Sequence, residues 1–161
     1  MKNKFLLLVV TLGFGLNVAA QEISKNAIGL RIGDNDGFGG EISFQRALGK
    51  NNRLELDLGI RSGNNYDGFK LTGLYQWVWQ LEGDFNCYAG AGGGIGNYSY
   101  ELPTPLKDES ETFLFAAGNV GIEYNFDIPI QLSLDVRPEI RFGDFKIYIS
   151  ILMLSQNLNR F

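Results

Sequence analysis

A chain of 161 residues with 45% hydrophobic, 13% aromatic and 20% charged residues, 21 glycines, one cysteine and no histidine is sized for one domain. The missing histidine excludes a serine–histidine–carboxylate triad, a cysteine–histidine pair and a histidine-ligated metal centre, and one cysteine forms no intrachain disulfide or four-cysteine site. A net charge of −4 offers no electrostatic footprint for nucleic acid.

The chain begins with the basic Met1-Lys2-Asn3-Lys4, followed by an apolar run from Phe5 to Leu16 and the small residues Val18-Ala19-Ala20 before Gln21. This is the layout of a secretory signal peptide, with cleavage expected after Ala20 and residues 21–161 left as one mature domain. The run is too short for a membrane-spanning helix, which needs about 20 apolar residues. Cys87 lies far from the expected cleavage point, so a lipid-anchored N-terminus is not expected, and the residue reads as a small apolar strand residue.

Beyond the leader, apolar and polar residues alternate with period two. Leu54, Leu56, Leu58 and Ile60 share one face of 54–61, and Glu55, Asp57, Gly59 and Arg61 share the other. A helix would scatter both sets, whereas a strand separates them. Ile28, Leu30 and Ile32 alternate with Gly29, Arg31 and Gly33, and Ile130, Leu132, Leu134 and Val136 with Gln131, Ser133, Asp135 and Arg137. The pattern predicts eight strands, at 26–33, 38–48, 53–61, 69–79, 85–96, 112–124, 130–137 and 145–154. Turn-forming joints separate them: Asp34-Asn35-Asp36-Gly37, Gly49-Lys50-Asn51-Asn52, Gly63-Asn64-Asn65, Glu82-Gly83-Asp84, the longer 97–111, Phe126-Asp127-Ile128-Pro129, and Pro138 to Asp144. Such short connections pair neighbouring strands antiparallel.

Two barrels fit eight strands: a soluble one with its apolar face inward around an apolar ligand, and a membrane one with that face outward to lipid. The opposite face carries charges of both signs, Arg31, Glu41, Glu55, Asp57, Arg61, Lys70, Glu123, Asp135 and Arg137. An eight-stranded interior is just wide enough for side chains, and there such charges can pair. Large aromatics gather at strand ends. Trp77, Trp79, Phe85, Tyr124, Phe126 and the terminal Phe161 fall at one rim, and Phe38, Phe69 and Phe145 at the other, as expected of girdles at lipid–water interfaces. In 88–96 the glycine face with Tyr88 is placed inward, where it leaves room for bulky neighbours, and in 112–124 Phe113 and Phe115 are placed inside near one end.

Motifs with chemistry fall short. Gly90-Ala91-Gly92-Gly93-Gly94-Ile95-Gly96 has Ile95 where a nucleotide fingerprint needs glycine, and no helix follows. Gly49-Lys50 is followed by Asn51 and forms no P-loop. Asp34-Asn35-Asp36-Gly37 lacks the rest of a calcium loop and reads as a turn. Glu55 and Asp57 could in principle do acid–base work, but their alternation with apolar residues fits interior pairing better. No cofactor, metal site or catalytic residue is expected.

Several strings together carry a resemblance: Ala27-Ile28-Gly29-Leu30-Arg31, Gly40-Glu41-Ile42-Ser43-Phe44-Gln45, Asn52-Arg53-Leu54-Glu55-Leu56-Asp57-Leu58-Gly59, Thr72-Gly73-Leu74-Tyr75-Gln76-Trp77, Gly121-Ile122-Glu123-Tyr124, and Pro129 through Pro138. Over 26–142 the chain resembles the small outer-membrane β-barrel proteins of Bacteroides-type bacteria, which are similar to OmpA and OmpX barrels. The resemblance implies an all-β, eight-stranded antiparallel up-and-down transmembrane barrel and no enzyme activity. It also implies the outer membrane of a Gram-negative cell as the location, with outer-membrane lipid and the barrel-assembly machinery, reading the C-terminal strand, as partners. Phe161 fits that signal, while the polar Ser155 to Arg160 departs from it. The expectation is therefore a monomeric barrel with a plugged interior and a structural or surface-interaction role. The alternatives are a soluble exported barrel that binds an apolar ligand and an outer-membrane lipid-modifying enzyme.

Overall fold

A computed structural model describes residues 23–33, 40–63, 66–100, 109–141 and 144–156. The leader, the Asp34–Gly37 turn, Phe38 and Phe161 lie outside the described residues. Eight strands follow one another: β1 (Asn26–Gly33), β2 (Gly40–Ala47), β3 (Asn52–Gly63), β4 (Tyr66–Gln80), β5 (Phe85–Tyr100), β6 (Glu109–Asn125), β7 (Ile130–Arg141) and β8 (Asp144–Gln156). Each pairs with its neighbour in sequence, and β8 returns antiparallel to β1, with Arg31 opposite Leu152, to close the barrel. Closure leaves no free sheet edge.

Three tight connections form one rim. Leu48 N donates to Asn52 O at 2.9 Å, Leu81 N to Phe85 O at 2.9 Å, and Phe126 N to Ile130 O at 3.0 Å. The second of these turns uses Gly83 at φ 58°, a left-handed conformation that glycine adopts without a Cβ penalty. The other rim is formed by the far ends of the strands and is called the loop rim below.

The wall is taller than the alternation alone predicts. β5 and β6 remain paired as far as Tyr100 opposite Glu109, so the 97–111 connection shortens to 101–108, which is not described. The expected joint from Pro138 to Asp144 is also replaced, because β7 continues to Arg141 and pairs with β8 up to Asp144. Proline argues against a strand because it lacks an N–H. Here the effect is local. The β6–β7 ladder runs to Ala117 opposite Glu139, lapses, and resumes at Val120 opposite Val136 with unchanged register.

Burial is reversed relative to a soluble fold. Leu30, Ile60 and Val120 are 56%, 68% and 63% exposed, whereas Arg31, Glu55 and Asp57 are 1%, 0% and 1% exposed. Alternation turns one face of every strand outward as an apolar band and sends the charged face into the barrel.

Candidate functional site

The interior is organised in tiers along the barrel. Nearest the tight turns, Arg53 on β3 lies 2.7 Å from Glu123 Oε2 on β6 and donates through Nε to Gln76 Oε1 at 2.5 Å. Glu123 also accepts from Asn86 Nδ2 at 3.0 Å and Gln131 Nε2 at 2.5 Å, so its charge is held by donors from several strands. The Arg53 guanidinium sits 4.7 Å above the centre of the Tyr88 ring.

The middle tier centres on two arginines from opposite ends of the sequence. Arg31 Nη1 donates to both oxygens of Asp135 at 2.7 and 2.8 Å, and its Nη2 to Glu55 Oε1 at 2.5 Å. Arg137 Nη2 donates to both oxygens of Glu41 at 2.8 and 2.9 Å, and its Nη1 to Asp57 Oδ2 at 3.0 Å. Asp57 Oδ2 is also 3.5 Å from Arg31 Nε. Tyr88 OH donates to Asp135 Oδ2 at 2.7 Å, and Gln45 donates to Glu55. Planar guanidinium forks suit this work because each engages several carboxylates at once. The strand register places Arg31 opposite Glu41, which in turn lies opposite Gly59, so side chains meet over a glycine.

Toward the loop rim, Lys70 Nζ pairs with Glu139 Oε1 at 2.9 Å and lies 5.1 Å from the Phe115 ring. Phe113 and Phe115 are 6.0 Å apart, Tyr98 stacks on Phe113 at 5.4 Å, and Arg141 covers Phe113 at 4.1 Å while pairing with Glu111. These rings lie across the glycine face of β5. A methyl group on Gly96 would strike Phe113, and one on Gly94 would strike Phe115 and the Leu71 carbonyl oxygen. The buried Tyr88 and Gly96, the half-buried Gly94, and the inward Phe113 and Phe115 agree with the sequence-based placement, whereas Gly92 on the same face is exposed.

Of the predicted interior charges, Arg31, Glu41, Glu55, Asp57, Glu123, Asp135 and Arg137 are buried and meet in these tiers. Arg61 is only half-buried, because its position on β3 is near the loop rim. Sequence reasoning did not single out Arg53 or Glu139. Arg53 is the second residue of β3 and keeps the parity of Glu55, and Glu139 lies within the turn expected from Pro138. Parity extended by one step in each case would have found them.

Among the predicted rim aromatics, Trp77, Trp79, Phe85 and Phe126 are exposed on the outer face, while Tyr124 is half-buried. Tyr124 packs at 4.7 Å against Phe85 and at 4.7 Å against Phe126, forming a ring cluster across β5, β6 and the turn. These residues occupy the tight-turn rim. Phe69 is exposed toward the other rim, and the side chain of Phe145 is not described.

No protein-family model and no curated protein matches this sequence. Its fold is similar to the N-terminal β-barrel domain of Pseudomonas aeruginosa OprF, with a TM-score of 0.65 and 12% identity over 83% of this chain and 98% of that one. It is also similar to Neisserial surface protein A, NspA, with a TM-score of 0.52 and 12% identity over 80% of this chain and 90% of that one. At these identities the likeness concerns architecture: this chain has the closed, eight-stranded antiparallel barrel that those proteins share.

Proposed function

We propose that this protein is a small outer-membrane barrel of a Gram-negative cell, exported by residues 1–20, with a plugged interior and a structural or surface-interaction role rather than catalysis. The single observation that carries this reading is reversed burial: apolar side chains face out around the wall and paired charges fill the inside. In water such an exterior would be a large exposed apolar surface, whereas in a bilayer it is matched to hydrocarbon. The exposed Trp77, Trp79, Phe85 and Phe126 then sit at one lipid–water interface, with Tyr124 behind them. The resemblance of the sequence to small barrels of Bacteroides-type bacteria, and the architecture shared with OprF and NspA, support the same reading. Lipid and the barrel-assembly machinery, reading the C-terminal strand, are the partners it implies, and a monomer is the proposed state.

The test is fractionation of expressing cells followed by gel electrophoresis of heated and unheated samples. The expected outcome is detergent-dependent extraction from outer membranes and a heat-dependent change in mobility. Recovery in the soluble fraction without detergent would overturn it. Vesicles carrying the purified protein are expected to show no sustained large solute flux, since the reading has paired side chains plugging the interior and an eight-stranded barrel is just wide enough for them.

A further inference from the structure

The middle tier is out of charge balance among the described residues. Once Glu123 is assigned to Arg53 and Glu139 to Lys70, four buried carboxylates, Glu41, Glu55, Asp57 and Asp135, share the two guanidiniums of Arg31 and Arg137. Among the described residues this leaves two carboxylate charges in excess, each of which a proton or a bound cation would offset, because uncompensated negative charge in a low-dielectric interior is strongly unfavourable.

The same tier holds unclaimed oxygen atoms. Asp57 Oδ2 is engaged by Arg137, but Asp57 Oδ1 has no hydrogen-bond partner. Ser43 lies directly opposite Asp57 on one side, and Thr72 directly opposite on the other. Both are 0% exposed, and neither hydroxyl oxygen has a partner. The register therefore sets three buried, unclaimed oxygens side by side on one row of β2, β3 and β4. Directly opposed Cβ atoms lie about 4.5–5.5 Å apart, and the curvature of a small barrel draws inward side chains closer still.

The geometry points to a buried monovalent cation, sodium in class, held on the inner wall by the Asp57 carboxylate with Ser43 and Thr72 as neutral oxygen ligands. Hard oxygen donors with one free carboxylate oxygen suit a hard ion of single charge. A calcium ion would call for about six to eight oxygens. Among the described residues no group of three or more histidine, cysteine, aspartate or glutamate side chains is arranged to hold a metal. The inference goes beyond the membrane reading and does not depend on it, since the site is enclosed by the barrel itself.

The test uses the full mature chain folded in a mild detergent. Its thermal unfolding midpoint is measured in sodium, potassium and a bulky organic cation as chlorides at equal ionic strength. Sodium is expected to raise the midpoint in a saturable manner that the organic cation does not reproduce, because a ligand bound only by the folded state stabilises it by mass action. The double variant Ser43→Ala, Thr72→Val is expected to fold and to lose that specific response. Equal midpoints in the three salts, or a sodium response retained in the double variant, would overturn the assignment. Should the variant fail to fold, equilibrium dialysis of the unaltered protein against radioactive sodium decides it: about one ion retained per chain supports the site, and none retained refutes it. An infrared band of a protonated carboxylic acid in the unaltered protein, removed by Asp57→Asn, would show that a proton occupies the place of the cation and would likewise overturn the proposal.

Discussion

Arg31 carries more of the interior than any other side chain described. It is 1% exposed and lies within salt-bridge distance of Glu41, Glu55, Asp57 and Asp135. Replacing it with leucine would leave several carboxylates sharing Arg137. The penalty comes less from a lost attraction than from buried charge left without a counter-ion. Arg31→Leu should therefore lower stability by about 3–5 kcal/mol in urea titrations of the detergent-folded protein. Lys25→Ala, at an exposed position before β1, should stay within about 0.5 kcal/mol. A small effect at Arg31 would mean that the tier is hydrated enough to screen its charges. The membership of Arg31, Glu55, Asp57 and Asp135 in one charged face was legible in the sequence, because alternation alone sorts them. Their pairing was not. Contacts such as Arg31 with Asp135 join the first strand to the seventh and depend on barrel closure, which no local pattern encodes.

At the scale of strands, existence and order were readable from period two and turn residues, and the misses arose where one residue type outweighed the pattern. Pro138 was read as the end of β7, yet Glu139 and Ile140 keep the inward–outward alternation, and the strand pairs with β8 through it. A proline without an N–H is tolerated because the loss is confined to the β6 side, where the ladder lapses between Ala117–Glu139 and Val120–Val136. Likewise the polar residues Asn97, Ser99 and Ser110 fall in the loop expected over 97–111. They continue the β5–β6 pair instead, with Asn97 Nδ2 donating to Ser110 Oγ at 3.0 Å and Thr112 Oγ1 at 2.9 Å. Hydrogen exchange should register the proline lapse. Adjacent amides of a strand point to opposite neighbours, so of Gly118 and Asn119 only the one facing β7 is expected to exchange faster than Val120 and Ile122, which lie in continuous ladder. Equal protection along this stretch would mean that the ladder closes across Pro138.

At the scale of the whole molecule, the question is which solvent meets the apolar exterior, and depth-dependent substitution answers it. Leu134 lies outward near the middle of β7 and is 47% exposed, while Leu81 lies in the tight turn after β4 and is 46% exposed. In water these two positions are equivalent, and an arginine at either should change stability by no more than about 0.5 kcal/mol. In a bilayer they differ sharply. Arginine at the midplane of a lipid-facing wall costs about 2–4 kcal/mol, and near the interface only about 0–1 kcal/mol. Leu134→Arg should therefore reduce the folded fraction in phospholipid vesicles far more than Leu81→Arg, although burial within the protein is nearly the same. Matching effects at the two sites would remove the membrane from the explanation and return the exterior to water. The comparison isolates the environment because neither side chain takes part in the interior pairing that holds the barrel together.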